Sequence, residues 1–352
     1  MKGAKKQSSG TSAVDLMALA EYVERFSAKT IVLLGDFVAD AFQIGDITRV
    51  SREAPVLILK HRETQIVPGG GANAANNFAS LGAKVIPVTA VGQDETGDRL
   101  RDFFRAQKTD VSGIFHVKGW TTPTKTRFLA GWAHKVGQQV LRVDYEPAQT
   151  LPPEVQKKIY AKVSHLMKKA DALAISDYGF GVASPREIAN LLARGKRRAI
   201  ATLDSRYQLD RYAQAGLHSA TPNEGEMEAL HHTTIGKNVA ELEHCGRTTL
   251  SNMKLESLVI TRGRDGMALF QPGKDTAHIP VHGSDQAVDV TGAGDTVLAA
   301  YTLGLASGAS PLEAAHIANI AGGLVVMKRG TATVSRAELL EAIAASVLGK
   351  NS

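Results

Sequence analysis

The stretch Asp289-Val290-Thr291-Gly292-Ala293-Gly294-Asp295-Thr296 constrains the fold most, because it joins two glycines and an acid to the helix-forming run Val297-Leu298-Ala299-Ala300-Tyr301-Thr302-Leu303-Gly304-Leu305. A helix that begins there leaves the backbone N–H groups of Gly292, Ala293 and Gly294 without intrahelical acceptors, at the positive end of the helix dipole. Such an end attracts phosphate. Asp295 follows in the first turn, placed to take a proton from a hydroxyl that attacks a phosphorus atom held by those N–H groups. A bare Gly-x-Gly-Asp is equally a glycine-rich turn beside a helix start, so the other parts of a site must come from elsewhere in the chain.

Upstream, Thr30-Ile31-Val32-Leu33-Leu34-Gly35-Asp36-Phe37 is a continuous apolar run rich in β-branched residues, which reads as a strand buried on both faces. Ligands of open α/β sheets collect at the carboxyl ends of strands, so Asp36 is placed to accept hydrogen bonds from ligand hydroxyls; a cap or turn residue would look the same. Residues 46–61 and 124–145 alternate poorly, and the first stretch includes Pro55. Both read as edge strands of a small lid sheet outside the main one. Val56, Ile58 and Leu59 in that lid want a partner. Between the two lid segments, Pro68-Gly69-Gly70-Gly71-Ala72-Asn73 lets the backbone approach a ligand and opens an Ala-rich helix that stops at Gly82.

Beyond this point strands and helices alternate as a doubly wound sheet requires. Strands are expected over 84–92, 172–176, 198–203, 257–261 and 267–270, and helices over 95–107, 153–169, 185–194, 239–253, 311–327 and 336–348. Pro87 hints that the strand 84–92 is an edge or an end. Thr221-Pro222-Asn223-Glu224-Gly225-Glu226 opens a further helix. There Asn223 and Glu226 either hold the water shell of a Mg²⁺ ion or cap the helix. Thr261-Arg262-Gly263-Arg264-Asp265-Gly266 is a turn whose glycines again permit close backbone approach. No internal repeat or long polar linker divides the chain. Residues 1–29 read as a polar tail and leading helix, and 30–352 as one unit.

Composition narrows the partners. No apolar run approaches the ~18 residues of a membrane span, and the start lacks the apolar segment of a secretory signal. Cys245 is the only cysteine, so an intrachain disulfide is excluded and a reducing cytoplasm is expected. With His231, His232 and His244 it fits no common zinc spacing. The formal charge of +6 admits anionic partners. The basic cluster Arg194-Gly195-Lys196-Arg197-Arg198 has no interleaved aromatics, which points to a solvated turn rather than a nucleic-acid site.

The phrase from Asp289 to Thr296 resembles the carboxy-terminal signature of the ribokinase-like (PfkB) family of sugar kinases, and the phrase from Pro68 to Gly82 its amino-terminal signature. The resemblance covers nearly all of the chain from about Thr30 to Leu348. It implies a doubly wound, mostly parallel α/β sheet flanked by helices with a small β-sheet lid. It also implies sugar contacts at Gly70, Gly71 and Asn73, which join Asp36 as the expected sugar-side residues, with Asp295 as base over an anion cradle at Gly292, Ala293 and Gly294. Asn223 and Glu226 match the family's Asn-x-x-Glu motif for Mg²⁺, held through water. Thr261, Gly263 and Gly266 match the turn that borders the ATP phosphates and ribose, and Asn319 matches a position that lines the adenine pocket. ATP and Mg²⁺ are thus the implied cofactors, a monovalent cation is left open, and a homodimer through the lid strands is implied.

Several phrases resemble the heptose 7-phosphate kinases of that family: Glu53-Ala54-Pro55-Val56, Gln138-Gln139 leading to Arg142 and Asp144, Ser176-Asp177-Tyr178, and Lys328-Arg329-Gly330-Thr331. Their reaction converts D-glycero-β-D-manno-heptose 7-phosphate to the 1,7-bisphosphate at the anomeric O1, on the way to ADP-heptose for the lipopolysaccharide core. Adenylyl transfer is then expected from a separate protein. Lys125, Arg127, Arg142 and Arg206 are the cations expected to hold the sugar phosphate. Two departures stand out: Phe180 where such kinases carry Lys, and Asp204-Ser205-Arg206 where they carry Asp-Pro-Lys. The alternative is another ribokinase-like kinase, acting on ribose, a fructose phosphate or a nucleoside. A Rossmann dehydrogenase would need Gly-x-Gly-x-x-Gly after the first strand. A non-catalytic sugar sensor would be expected to lack Asp295.

Overall fold

Strands that are apolar on both faces need helices on each side, and alternate residues of one strand must then serve two different cores. A computed structural model, which describes residues 15–131, 138–195, 199–283 and 286–350, has this arrangement. In chain order the strands are β1 (Thr30–Gly35), β2 (Phe37–Val50), β3 (Leu57–Gly70), β4 (Lys84–Gly92), β5 (Ile114–Val117), β6 (Thr124–Gly131), β7 (Gln138–Tyr145), β8 (Ala172–Asp177), β9 (Ile200–Ser205), β10 (Ser219–Ala220), β11 (Ser257–Thr261), β12 (Met267–Phe270) and β13 (Ala277–Ile279). The main sheet runs β13-β12-β11-β10-β9-β8-β1-β4-β5, and its pairings are parallel except those that β12 makes with β11 and β13. Ile31 and Leu33 of β1 enter one apolar cluster with the helices Gly71–Ser80, Ala293–Ala306 and Pro311–Val325. Val32 and Leu34 enter the other, with the helices Pro153–Leu166, Pro185–Arg194 and Val239–Met253.

Strand order reverses at β1, with β4 following on one side and the later strands on the other. A crevice opens at such a switch point, outside the carboxyl ends of the strands. Asp36, Asp177 and Asp204 all lie at carboxyl ends there, on β1, β8 and β9.

The lid is a four-stranded sheet, β3-β2-β6-β7, and it is larger than the sequence suggested. Its first hairpin runs from Phe37↔Gly70 to Val50↔Leu57, so the lid begins directly after β1 rather than at residue 46. The buried residues Phe37, Val38, Ala39 and Ala41 give the start of β2 the composition of a core strand, which hides the departure from the main sheet. Pro68 is tolerated because β3 is an edge. Pro87, by contrast, does not mark an edge, since β4 is flanked by β1 and β5. Thr89 N–H donates to Gly113 O at the start of the β5 contact, so Pro87, two residues earlier on the same side, costs no ladder bond.

The leading helix, Leu16–Glu24, is not an appendage: Leu19, Val23 and Phe26 are fully buried in the first cluster. The polar tail 1–14 and Lys196, Arg197 and Arg198 of the basic cluster lie outside the described residues. Among the described residues no helix is long and apolar enough to cross a membrane.

Candidate active site

The helix Ala293–Ala306 is fixed to the main sheet two turns from its start. Tyr301 Oη lies 2.8 Å from Ser257 Oγ and accepts from Ser219 Oγ at 3.4 Å, and Thr302 Oγ1 lies 2.7 Å from Thr202 Oγ1. Its N-cap, Gly292, has φ 79°, and a Cβ there would sit 2.5 Å from Asn73 Nδ2. Only glycine meets both conditions. Ala293 and Gly294 follow, and Asp295 is buried in the first turn.

The carboxylate of Asp295 is held on both oxygens. Asn73 Nδ2 donates to Oδ2 at 2.8 Å, and Tyr178 Oη donates to Oδ1 at 3.4 Å. Asn73 is itself fixed, since Asn77 Nδ2 donates to its carbonyl at 3.0 Å while Thr296 Oγ1 donates to Asn77 Oδ1 at 2.7 Å. Burial pushes the Asp295 carboxyl up to about 7; the Asn73 bond opposes this, Asp40 adds to it, and Tyr178 and Lys125 oppose it. An acid in that range can take up a proton near neutral pH, as a general base must.

Of the residues expected on the sugar side, Gly70 and Gly71 stand where expected, at the start of the helix Gly71–Ser80. Gly70 has φ 53°, and a Cβ there would lie 2.8 Å from Val38 Cγ2. Asn73 is turned toward Asp295, so in this structure its amide positions the acid. Asp36 corrects the expectation. It is fully buried and accepts the N–H groups of Tyr178 (2.9 Å) and Phe180 (3.0 Å) on Oδ2 and of Val182 (3.0 Å) on Oδ1. Its carboxylate anchors the loop after β8 instead of lying open to a ligand. Burial, then Asp177, push it up to about 7 against those three bonds.

The expected cations come together on the lid. The register sets Lys125 opposite both Asp40 and Asp144, and Arg127 opposite both Phe42 and Arg142, so strand alternation puts all of these on one face. Arg127 pairs with buried Asp40 at 2.5 Å, and Arg142 donates to Asp144 at 2.7 Å. Lys125 lies 5.1 Å above the Tyr178 ring. Its ammonium is pushed down by burial, then by Arg206, with Asp40 opposing and with Arg142 and Arg127 adding. Arg206, just after β9, thus joins the lid residues Arg142 and Arg127 in acting on Lys125. Phe180, the departure from the heptose kinases, packs against the second apolar cluster.

Behind the helix start lies a cavity of about 350 Å³, within the ordinary range for small-molecule sites. Thr261, Gly263, Gly266 and Asn319 line it together with Ala293 and Gly294, and Met267, Val281, Val290, Val297 and Val326 supply apolar walls. Residues chosen for three separate motifs therefore meet at one cavity. Asn319 Nδ2 donates to Pro280 O at 2.8 Å, which orients the amide.

Asn223 and Glu226 form a reciprocal capping box, each side chain accepting the other's backbone N–H at 2.9 Å. Capping is thus realised in the structure. Asp204, near Gly294, was missed in the sequence; its carboxyl is pushed well up by burial, then by Glu226, Asp295 and Asp177. A carboxylate raised by neighbouring carboxylates, with Arg206 opposing, fits a hydrated divalent cation, which would favour its ionised form. Among the described residues no three His, Cys, Asp or Glu side chains are grouped to hold a metal directly. Tyr178, Asn77 and Thr296 were also missed, because their partners lie more than 100 residues away.

A glycine-capped helix start, where the Ala293 N–H donates to Val290 O at 3.3 Å, a buried acid in its first turn, a cation-lined lid on one side and a nucleotide-sized cavity on the other fit a phosphotransferase with an alcohol acceptor. The chain belongs to the pfkB family of carbohydrate kinases, whose sequence model matches residues 29–338, and membership implies the use of ATP. It is 34% identical over 330 residues to the bifunctional protein HldE of Trichlorobacter lovleyi, a match covering 94% of this chain and 66% of that protein. With the HldE protein of Geobacter metallireducens it shares 36% identity over 309 residues, covering 88% and 62%. The chain thus spans less than two thirds of the length of these relatives. Its fold is similar to that of Escherichia coli phosphofructokinase-2 in complex with potassium (TM-score 0.72, 19% identity, 90% and 98% of the two chains). It is similar also to Arabidopsis thaliana ribokinase complexed with ribose and ATP (TM-score 0.69, 18% identity, 90% and 98%).

The buried acid makes stability depend on pH in a definite direction. Asp295 binds its proton more tightly in the folded chain (about 7) than at the ordinary value of 3.8, so the stability this proton contributes is full below 3.8 and is lost as pH rises toward 7. Asp295→Asn removes this loss. The variant's gain in Tm over the native chain should grow between those two pH values and level off above; a gain that shrinks with rising pH would contradict the assignment.

Proposed function

We propose that this chain transfers the γ-phosphoryl group of ATP to the anomeric O1 of D-glycero-β-D-manno-heptose 7-phosphate. The product is the 1,7-bisphosphate, used for ADP-heptose and the lipopolysaccharide core. The observation that supports the reading is the convergence of Arg127, Arg142 and Arg206 on Lys125 at the lid side of Asp295, where burial, then Arg206, disfavour the ammonium against the opposing charge of Asp40, and a bound phosphate would favour it. An unphosphorylated sugar would add no negative charge to the two carboxylates, Asp40 and Asp144, that already pair with Arg127 and Arg142. The phrases shared with heptose 7-phosphate kinases and the likeness to proteins named HldE support the same choice.

In the proposed mechanism Asp295 orients the acceptor hydroxyl and takes its proton, and the N–H groups of Gly292, Ala293 and Gly294 hold the charge that builds on the transferring oxygens. Thr261, Gly263, Gly266 and Asn319 seat the nucleotide, and Gly70, Gly71 and Asn73 seat the sugar. Asn223 and Glu226 would hold Mg²⁺ through water, and the ion would supply neutralisation of phosphate charge. Residues 30–352 act as one kinase unit in this reading.

Asp295→Asn should lower kcat by roughly three orders of magnitude or more with little change in either KM, because a base acts on the transition state. Across a panel of phosphosugars read by ADP release, heptose 7-phosphate should be turned over and ribose and fructose poorly. Arg206→Ala should raise the KM for the phosphosugar alone. Efficient turnover of ribose with none of heptose 7-phosphate would leave only the wider family reading, which Phe180 in place of a cation would favour.

Glu226→Gln keeps a capping partner, so it should leave Tm nearly unchanged while raising the Mg²⁺ concentration needed for activity. A lower Tm with an unchanged Mg²⁺ requirement would confine Glu226 to capping.

We also propose that the chain pairs through its lid, where Val50, Val56, Leu57, Val140 and Leu141 are exposed. Light scattering at micromolar concentration should give twice the chain mass, and a monomer would count against the pairing.

A further inference from the structure

We propose that Tyr178 is a positioning residue for Asp295, holding the carboxylate oxygen that Asn73 leaves free so that the acid keeps one orientation toward its acceptor. The inference rests on the reading of Asp295 as the base. Its two donors reach opposite oxygens, Asn73 Nδ2 at 2.8 Å from Oδ2 and Tyr178 Oη at 3.4 Å from Oδ1. One donor alone would leave the carboxylate free to turn about its Cβ–Cγ bond, where the rotational preference is broad. Two donors define its plane. The longer contact has the length often seen in catalytic hydrogen bonds before substrate closes the site.

Tyr178 is held on every side in a way that serves this contact. Its backbone N–H donates to Asp36 Oδ2 at 2.9 Å, and the same buried carboxylate takes the N–H groups of Phe180 and Val182, so the loop that carries the ring is pinned to the end of β1. A Cβ on Gly70 would come within 3.2 Å of the ring's Cε2, which shows how closely the ring packs against the start of the helix Gly71–Ser80. Lys125 Nζ covers the ring face at 5.1 Å, a cation–π contact from the lid. Among the described residues the hydroxyl has Asp295 as its one hydrogen-bond partner. Burial, then the charge of Asp295, keep that hydroxyl protonated and so a donor.

The charged and titratable groups that bear on Asp295 are Asp40 from β2, Lys125 from β6, Tyr178 after β8 and Asp204 at the end of β9. Removing the Tyr178 hydroxyl leaves the other three in place and takes away a bond that favours the ionised acid. The direction is therefore fixed: the acid limb of the pH–kcat profile moves to higher pH.

Tyr178→Phe tests this, since it keeps the ring, its packing against Gly70 and its contact with Lys125. We expect kcat to fall by ~10- to 100-fold with the KM values for ATP and phosphosugar changed by less than ~3-fold, and the acid limb to shift upward. An unchanged kcat with an unmoved limb would overturn the proposal, as would a loss confined to KM. A second arm does not depend on turnover: the unfolding of Tyr178→Phe, Asp295→Asn and the double variant at pH ~8, where Asp295 is ionised. The cycle should depart from additivity by ~2-fold or more in the unfolding constant. Additive effects would overturn the proposal even in a fully active enzyme. A native chain that phosphorylates none of the sugars offered would instead count against the heptose kinase reading and leave the unfolding cycle to decide on Tyr178.

Discussion

Asn73 Nδ2 lies 2.8 Å from Asp295 Oδ2, and that single bond ties the start of one helix to the start of another across 222 residues of chain. It is also one of the few favourable terms available to a carboxylate taken out of water. A hydrogen bond to a charged group contributes roughly 1.5–3 kcal/mol, less than the desolvation of the charge costs, so Asp295 stays near 7 rather than returning to the ordinary carboxylate range. The incomplete compensation is what suits the acid to accept a proton. The rest of the cleft keeps the compensation from improving. Tyr301 and Thr302 lock the helix to the sheet, and Thr296 and Asn77 lock the two helices to each other, so Asp295 is held in its buried place.

The charges around this acid sort by the element that carries them. Carboxylates Asp36, Asp177 and Asp204 come from the ends of β1, β8 and β9, where the switch point gathers them, and Glu226 adds a fourth from the adjoining helix start. Cations come mainly from the lid, where strand alternation puts Lys125, Arg127 and Arg142 on one face. Asp36 and Asp177 are spent within the fold: Asp36 on backbone N–H groups of the loop after β8, and Asp177 on Gly179 N–H, the Ser205 hydroxyl and the Tyr212 hydroxyl. That leaves Asp204, Glu226 and Asp295 on one side and the four cations on the other. Asp204 is raised by its neighbouring acids with Arg206 opposing, Lys125 is lowered by the other cations with Asp40 opposing, and a phosphorylated substrate with a metal–nucleotide would favour the charged form of each.

The parts legible in the sequence were those where one residue type is forced by local backbone. Gly70 and Gly292 are such cases, since both adopt positive φ and both are crowded where a Cβ would sit. Long apolar runs such as β1, and long helices such as Val239–Met253, were legible for the same local reason. What escaped was set by distant contacts. Asp36 ends a core strand in either role, and only the position of residues 178–182 shows that its carboxylate goes to their N–H groups. β5, β10 and β13, of four, two and three residues, are too short to show a period and exist because a neighbouring strand offers them a ladder. The early start of the lid was masked because Phe37, Val38 and Ala39 are as buried as the strand before them.

Asn223 and Glu226 show why a structural and a functional reading of one motif need not compete. The capping box uses Asn223 Oδ1 and Glu226 Oε2, each accepting one N–H, and so satisfies two donors that the helix start would otherwise leave open. A carboxylate has about four acceptor sites, and the box consumes one. Burial meanwhile holds the Glu226 carboxyl above its ordinary value, and its charge in turn raises Asp204. The box therefore fixes where the carboxylate stands without neutralising it, beside an acid, Asp204, with which it shares the opposing charge of Arg206. A cap built from alanine and glutamine would hold the helix less well and attract no cation. A free glutamate would attract one without a defined place for it.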